Sequence, residues 1–386
     1  MPARSATPAS PATTSHPLST WTGAMPRSPT PRDADVMTES VSPSFIAALP
    51  KAELHVHLDG SLRPETLLEL ADEAGVDMPA REPAALANAM RADDATDLAS
   101  YLSRFERTLA VLQTADALVR VTRELVEDHA AENVRVVEIR YSPILNTAGG
   151  LSMEEVLEAT LEGMRLGTDQ TGIRAGLILC GIRNMDPATS VAIAKLGVAF
   201  RDRGVVAFDL AGAEPGNPVH RHAEAFEIAA RGLLPATVHA GEAAGAESIR
   251  EALLHGRAAR IGHGTRLQED ESLLAWVRDR SIPVEICLTS NVQTRVSDTF
   301  EAHPVRRYFD EGILLTLCTD NRLVSGTTVC QEYRAAARHL DFDAGELAAV
   351  ARMGFESAFL PLDEKEVLLA QVDDELDALL AGLDPD

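Results

Sequence analysis

Two patterns in the sequence predict a (β/α)8 barrel, the TIM-barrel fold. Eight short apolar runs occur after residue 50, and longer segments with the 3.6-residue periodicity of amphipathic helices separate them. Because alternation of strand and helix indicates parallel strands, eight such units favour a closed barrel. An open doubly wound sheet usually carries a GxGxxG turn or a GxxxxGK[ST] loop, and the sequence contains neither motif.

The predicted strands account for most of the short apolar runs. They are Ala52–His57, Val134–Tyr141, Ala175–Ile182, Val205–Ala211, Ala236–Ala240, Arg260–His263, Val284–Thr289 and Leu314–Thr319. Helical periodicity is clear at residues 152–170, 191–204 and 219–233. Residues 58–133, after the first strand, contain more helical segments than one crossover needs. This insertion follows the carboxyl end of a strand, so we expect it to cover the C-terminal mouth of the barrel, where active sites lie.

Residues 1–43 differ in composition from the rest of the chain. They are rich in Pro, Ser, Thr and Ala and show no apolar periodicity, which predicts a disordered tail before a single domain of residues 44–386. The tail has no apolar core of a secretory signal, and the chain has no run of 18 apolar residues that would predict a membrane span. The tail can be interpreted as an organellar transit peptide, or as the result of a start codon assigned too far upstream.

We expect deletion of residues 1–43 to leave activity and melting temperature nearly unchanged, because a disordered tail makes few contacts. Kinetics and thermal unfolding of the full and truncated chains test this expectation. A clear loss of either property would show that the tail docks on the domain.

Charge and cysteine content narrow the class of partner. The formal net charge of −24 at pH 7 disfavours nucleic acid and anionic membranes, because both would be repelled. The four cysteines form no CxxC pair, and most lie in apolar runs, which indicates buried thiols in a reducing compartment. The sequence therefore predicts a cytoplasmic protein that acts on a small molecule, and it predicts no oligomeric state.

Ionisable side chains cluster where four of the predicted strands end. They are His55 and His57 on the first strand, His239 and Glu242 in HAGE on the fifth, His263 in GHG on the sixth, and Asp320 and Asn321 in TDN on the eighth. In a barrel these strand ends meet at one mouth, which predicts a single site. Three imidazoles and one carboxylate suit zinc, although iron, cobalt or nickel would also bind. A second HxH, at residues 220–222, opens a helical run, so its histidines would not converge.

The motifs HVHLDGS, TVHAGE, IGHG and CTDN, with DLAG at 209–212, resemble those of the adenosine deaminase family of metal-dependent amidohydrolases. The resemblance covers about residues 45–365. It implies one zinc ion held by four ligands, namely His55, His57, His239 and Asp320. It also implies catalytic roles for Glu242, His263 and Asp320, and substrate contacts from His57, Asp59, Gly212 and Asn321.

The chemistry of deamination can be argued from these residues. Displacing ammonia from C6 of a 6-aminopurine needs an oxygen nucleophile, which a metal-bound water with a pKa near 7 supplies. Attack places electron density on ring N1, so an acid is needed there. Glu242 can be that acid only if burial keeps it protonated. His263 fits either as the base that takes the water proton or as a cation that stabilises the oxyanion, and Asp320 can orient the water.

The sequence therefore predicts deamination of adenosine and deoxyadenosine. The alternatives are another 6-aminopurine substrate, such as adenine, a methylated nucleotide or an aminodeoxyfutalosine-like nucleoside, and a non-catalytic nucleoside-binding protein. The complete set of ligands, acid and base argues against the last of these. The zinc cytidine deaminases are excluded because HxE followed by PCxxC is absent. Asn321 departs from the family, in which many members carry a second aspartate at this position.

Overall fold

The computed structural model describes residues 41–383. The strands of this part are β1 (Lys51–His57), β2 (Val134–Tyr141), β3 (Arg174–Ile182), β4 (Val205–Ala211), β5 (Thr237–Ala240), β6 (Arg260–His263), β7 (Val284–Ile286) and β8 (Leu315–Leu317). They form two parallel sheets of four strands each, β1-β2-β3-β4 and β5-β6-β7-β8. Parallel bridges from Phe208 to Ala236 and from Val56 to Asp320 join the two sheets at both edges. The strands therefore close into the barrel that the sequence predicts.

Six of the eight predicted strands agree with the structure to within one residue at each end, whereas the last two are shorter. β7 ends at Ile286, and Leu288 already begins a helix, so the prediction of a strand through Thr289 was wrong. β8 likewise ends before Cys318. An apolar run does not distinguish the end of a buried strand from the first turn of a buried helix, which explains the error.

Helices surround the barrel. The α-helices of the described part are α1 (Pro43–Ala48), α2 (Pro64–Ala74), α3 (Pro83–Met90), α4 (Leu98–Leu102), α5 (Phe105–Val111), α6 (Ala115–Ala131), α7 (Met153–Thr171), α8 (Pro187–Phe200), α9 (Ala223–Arg231), α10 (Ala246–Leu254), α11 (Glu271–Asp279), α12 (Leu288–Gln293), α13 (Val305–Asp310), α14 (Val329–His339), α15 (Ala344–Ser357) and α16 (Leu362–Ala381). Short 3-10 helices lie at Pro143–Asn146, Arg201–Arg203, Val219–His222 and Thr265–Glu269. No helix in residues 41–383 is both long enough and apolar enough to cross a membrane.

The structure has an α-helix at each of the three predicted places, but each begins at a different residue from the one predicted. α7 begins one residue after Ser152, whose side chain caps it and forms a capping box with Glu155. α8 begins before the predicted residue 191, because Asp186 caps it and Pro187 occupies the first turn. The predicted helix at 219–233 opens with a 3-10 turn and becomes α-helical at Ala223.

The insertion between β1 and β2 contains α2 to α6. Side chains from α4 and α5 line a cavity together with residues at the carboxyl ends of the strands. The insertion therefore lies over the C-terminal mouth, as the sequence predicts. Its apolar side chains provide one wall for whatever binds there.

The amino end of the described chain packs on the barrel. The Ser42 side chain caps α1, and Phe45 and Ile46 are buried. The ammonium group of Lys51 donates to the carbonyl oxygens of Ile46 and Leu49, which secures this helix to β1. Residues 41–43 thus belong with the folded domain, and the rest of the predicted tail lies outside the described residues. The deletion that tests the tail alone should end at residue 40.

Candidate metal centre and active site

Four ligand atoms converge at the mouth of the barrel. His239 Nε2 lies 3.1 Å from the Nε2 atoms of both His55 and His57. Asp320 Oδ1 lies 3.5 Å from His55 Nε2 and 3.3 Å from His57 Nε2. A tetrahedral ion with bonds of about 2.0–2.1 Å needs ligand atoms about 3.3–3.4 Å apart. These four separations, of 3.1 to 3.5 Å, are close to those that ligands of one such ion require.

Buried carboxylates orient two of these imidazoles. Glu285 accepts from His55 Nδ1 at 2.8 Å, and Asp209 accepts from His239 Nδ1 at 2.9 Å. Because each Nδ1 carries the proton, each Nε2 lone pair is left for the centre of the cluster. Arg140 lies between the two carboxylates and bonds to both, at 3.1 Å to Asp209 and 2.9 Å to Glu285. Sequence analysis missed all three, although their signal is a charged residue inside an apolar strand.

The protonation states of three of the four groups are those that metal ligands need. Burial lowers the pKa of His57 and of His239, so both imidazoles are neutral at neutral pH. Burial alone would raise the pKa of Asp320, but its hydrogen bond to His55 and the neighbouring imidazoles outweigh burial and hold that pKa far below its usual range. These three groups therefore present two neutral nitrogens and an ionised oxygen, whereas for His55 burial is outweighed by its hydrogen bonds to Asp320 and Glu285, which raise its pKa.

The backbone at the site is strained. Asp320 and His263 have φ angles of 59° and 62°, in the left-handed region that side-chain-bearing residues rarely adopt. Hydrogen bonds with β1 hold Asp320 there, since its N–H donates to the His55 carbonyl at 2.8 Å and its carbonyl accepts from His57 at 2.7 Å. Strain of this kind persists only where the surroundings over-determine it, and here it aims the Asp320 carboxylate at the cluster.

Glu242 occupies a turn that another glutamate organises. The Glu214 carboxylate accepts from the backbone N–H groups of Gly241, Glu242, Ala243 and Ala244, at 2.5 to 3.0 Å. Gly241 adopts φ +69°, which a glycine tolerates without strain. These bonds fix the turn after β5 so that Glu242 lines the cavity. Sequence analysis missed Glu214, although its position just beyond the end of β4 is a signal of the same kind as those it used.

The environment of Glu242 favours its protonated form. Burial raises its pKa well above the usual range, and the negative charges of Asp320 and Glu214 add to the effect. Its Oε2 lies 3.7 Å from His263 Nε2. A neutral carboxylic acid that borders both the cavity and the cluster can donate a proton to a bound ring.

His263 lies at the edge of the cluster. Ligand atoms of His55, His239, His263 and Asp320 all lie within 4.8 Å of one another. Burial lowers the pKa of His263 well below its usual value, so the ring is neutral. Its Nδ1 is 3.0 Å from the Asn291 amide nitrogen, which leaves Nε2 on the side of Glu242.

A cavity of about 200 Å³ adjoins the cluster. Helical side chains of the insertion form its apolar wall, and strand-end residues form the polar wall. The lining comprises His57, Asp59, Leu98, Tyr101, Leu102, Phe105, Leu109, Leu145, Ile182, Asn184, Ala211, Gly212, His239, Glu242, His263, Asp320 and Asn321. The residues predicted to contact substrate are therefore all in one cavity. Burial raises the pKa of Asp59 to about 7.

Asn321 makes a contact that the sequence did not predict. Its Nδ2 donates to the Tyr101 hydroxyl at 2.8 Å, and that hydroxyl lies 2.7 Å from Ser325 Oγ. A Cβ at Gly60 would lie 1.8 Å from Asn321 Oδ1, so only glycine fits beside this amide. Tyr101 gave no signal in the sequence, because an amphipathic helix accommodates a tyrosine without further explanation.

The second HxH does not form a metal site. His220 Nδ1 pairs with Glu251 at 2.9 Å. His222 is buried and bonds Ser190 Oγ at 2.9 Å and the Arg183 carbonyl at 3.1 Å. The two rings have separate partners, as the helical spacing predicts.

The chain matches the family model described as "Adenosine deaminase" over residues 50–375. It is 40% identical over 323 residues to a probable adenosine deaminase of Dictyostelium discoideum, covering 83% of this chain and 42% of that protein. The chain thus spans less than half the length of this relative. It is 37% identical to an adenosine deaminase of Clostridium acetobutylicum, covering 85% of this chain and 98% of that protein.

Solved structures share the fold. An amidohydrolase from Burkholderia ambifaria with bound Zn has a TM-score of 0.82 and 25% identity, covering 91% of this chain and 96% of that one. An adenine deaminase from Arthrobacter aurescens has a TM-score of 0.80 and 28% identity, covering 85% of this chain and 99% of that one. An N6-methyl-AMP deaminase from Arabidopsis thaliana has a TM-score of 0.76 and 30% identity, covering 86% of this chain and 98% of that one. With a family match over most of its length and relatives near 40% identity, the chain belongs to the adenosine deaminase family.

Proposed function

We propose that this protein is a zinc-dependent hydrolase that deaminates adenosine and deoxyadenosine to inosine and deoxyinosine, with release of ammonia. The observation that carries the proposal is the buried Glu242, whose pKa is raised, beside three imidazoles and a carboxylate that converge in one cavity. The related adenosine deaminases support the same activity. The activity would serve purine salvage. A cytoplasmic location accords with the four buried free cysteines, because thiols stay reduced there.

The donor set fits zinc. Three imidazole nitrogens and one carboxylate oxygen at tetrahedral separations are ligands that zinc favours, and the related Burkholderia amidohydrolase structure has bound Zn. We assign His55, His57, His239 and Asp320 as the ligands of one ion per chain. If a position beside these four ligands stays open to water, a bound zinc ion would lower the pKa of that water and so supply hydroxide at neutral pH.

The residues of the chain perform the proton transfers and the positioning. Glu242 carries its proton on the carboxyl group and donates it to purine N1 as electron density builds there. The Asp320 Oδ2 atom accepts from the Ser290 hydroxyl at 2.6 Å, which holds the carboxylate with Oδ1 toward the other ligands. The apolar wall contributed by α4 and α5 excludes water from the ring, which strengthens these interactions.

The cavity favours a nucleoside over a nucleotide. Among the described residues that line it there is no lysine or arginine, and Asp59 adds a buried carboxyl group. A 5′-phosphate placed there would be a buried anion without a partner, which is costly. A ribose hydroxyl suits Asp59, which can donate or accept a hydrogen bond because its pKa is about 7. We therefore assign Asp59 to the ribose and Gly212 to the purine.

A substrate panel tests this function. The purified protein, assayed for metal, should deaminate adenosine and deoxyadenosine with much higher kcat/KM than adenine, AMP, N6-methyl-AMP or an aminodeoxyfutalosine-like nucleoside. Preference for a nucleotide would show that the cavity accommodates a 5′-phosphate although none of the described residues that line it is a lysine or arginine. Binding of adenosine without turnover would instead indicate a nucleoside-binding protein.

The Asn321 amide gives a further expected result. One N–H of its Nδ2 donates to Tyr101, and we propose that the second donates to purine N7. 7-Deazaadenosine lacks this acceptor, so it should react more slowly than adenosine, because a buried unpaired donor costs about 1–3 kcal/mol. Comparison of kcat/KM for the two nucleosides measures the effect.

The Asn321→Ala variant is the control for this contact. It should lose the discrimination between adenosine and 7-deazaadenosine while retaining its metal. If the unaltered enzyme turns over both nucleosides equally well, Asn321 does not contact N7 and only supports Asp320 and Tyr101.

A further inference from the structure

We propose that Asn291 and His303 fix the tautomer of His263, with the proton on Nε2, the nitrogen on the side of Glu242. Neither residue lines the cavity, so both act as positioning residues through His263. The assignment of the proton follows from donor and acceptor chemistry alone. Its consequence for catalysis rests on the proposed function.

The chain of hydrogen bonds begins at a backbone group whose polarity is fixed. The Val305 N–H can only donate, and it lies 3.1 Å from His303 Nδ1. His303 Nδ1 therefore carries no proton. Burial lowers the pKa of His303 to about 3, so the ring is neutral and its single proton is on Nε2.

The proton on His303 Nε2 identifies the orientation of the next residue. His303 Nε2 lies 3.1 Å from Asn291 Oδ1, so it donates to an oxygen. The Thr265 hydroxyl donates to the same oxygen at 3.2 Å. Rotating the Asn291 amide would place its NH2 group against the His303 N–H, and both would be donors. The His303 contact therefore fixes which end of the amide faces His263, whereas the Thr265 hydroxyl could donate to the oxygen or accept from the NH2 group.

The last step assigns the proton on His263. The Asn291 Nδ2 group can only donate, and it lies 3.0 Å from His263 Nδ1. His263 Nδ1 is thus an acceptor, and the neutral ring carries its proton on Nε2. The opposite tautomer and the imidazolium would both point an Nδ1–H at the Asn291 NH2 group, so this chain of bonds disfavours both.

A proton on Nε2 excludes both of the roles that the sequence leaves open for His263. A neutral ring whose proton is on Nε2 has its free lone pair on Nδ1, so it could act as a base only at Nδ1, where the Asn291 N–H donates. It is also uncharged, so it does not begin as the cation of the other role. Instead, Nε2–H donates a hydrogen bond toward the oxygen that attacks C6 and orients its lone pair at the ring.

NMR of the zinc-loaded protein with 15N-labelled histidine tests the tautomer directly. Long-range correlations in the unaltered enzyme should show His263 with a protonated Nε2 and an unprotonated Nδ1. The opposite pattern would overturn the proposal, and this measurement depends on no variant. A protein with the expected tautomer but no activity toward adenosine would contradict the proposed function and leave this inference intact.

Two variants at Asn291 separate a positioning role from a structural one. The Asn291→Asp carboxylate accepts from Nδ1–H, so it should invert the tautomer signals and lower kcat by about 10–100-fold, with little change in KM. Asn291→Ala removes the donor without offering an acceptor, so it should give mixed tautomer signals and a smaller loss. Equal losses in the two variants with an unchanged His263 spectrum would show that Asn291 only packs.

A variant at His303 covers the case in which the Asn291 variants do not fold. His303→Phe keeps a buried ring but removes the donor to Asn291 Oδ1, which allows the amide to rotate. It should show both tautomers of His263 with metal content unchanged. A spectrum identical to that of the unaltered enzyme would contradict the proposed control of the tautomer by His303.

Discussion

Replacing Glu242 with glutamine is expected to lower kcat for adenosine by about 10²–10⁴-fold, the range typical of general acid catalysis. The amide has nearly the same shape and stays in the turn that Glu214 secures, so the nucleoside should still bind. Its N–H group can donate a hydrogen bond to N1 but cannot transfer a proton to it. Metal content should stay at the level of the unaltered enzyme, because we do not assign Glu242 as a ligand.

Measurements of kcat, KM, nucleoside affinity and metal content on the same preparation test this expectation. Glu247→Gln is a matched control, because the Glu247 side chain is 77% exposed on the helix that follows the same turn. It should behave as the unaltered enzyme does. Near-normal turnover by Glu242→Gln would refute the role of Glu242 as the acid.

The same role has a pH dependence. Burial raises the pKa of Glu242, so the protonated form persists into the neutral range. Because the protonated form is the active one, kcat/KM should fall as pH rises through this raised pKa.

Replacing His239 with alanine is expected to abolish both metal binding and turnover. The substitution removes one of four ligands and leaves Asp209 without its imidazole partner. The unaltered protein should contain about one zinc ion per chain, as expected for one four-ligand site. Treatment with a chelator should remove activity, and zinc should restore it.

His220→Ala is the matched control for this experiment. His220 belongs to the other HxH motif and pairs with Glu251 at the surface, so its loss should not affect metal content. If the unaltered protein contains no metal and binds none when zinc is added, the metal assignment is wrong. Stoichiometric metal in His239→Ala would show that His239 is not a ligand.

The sequence predicts most of the fold because buried parallel strands are nearly continuous apolar runs between turns. Six strands were placed to within one residue for this reason. The seventh was extended too far because Cys287 and Leu288 remain apolar while the backbone turns into α12, and the eighth because Cys318 continues the apolar run past the end of β8. Helix α12 brings Ser290 and Asn291 to the site. Hydrophobic periodicity does not indicate where the backbone turns from β7 into this helix.

The predicted site residues share one property: each lies at the end of a strand. Barrel topology brings strand ends together, so position along the chain sufficed to group them. Arg140, Asp209 and Glu285 also lie within two residues of the ends of their strands, but their contacts depend on which strands face each other across the barrel. Asn291 and His303 meet His263 only through tertiary packing. No local pattern contains that information.

The arrangement of the barrel as two four-stranded sheets has a consequence for assembly of the enzyme. His55 and His57 come from the first sheet, whereas His239 and Asp320 belong to the second sheet and the segment that follows it. A bound ion would add a cross-link between two halves that edge bridges and the buried ion pairs Arg140–Glu285 and Asp209–His239 also join. Acquisition of the ion is then a late event in folding, because its ligands are brought together only after both halves have formed and docked. Release of the ion would remove only this link, so we expect loosening that is local to the mouth of the barrel and not loss of the whole structure.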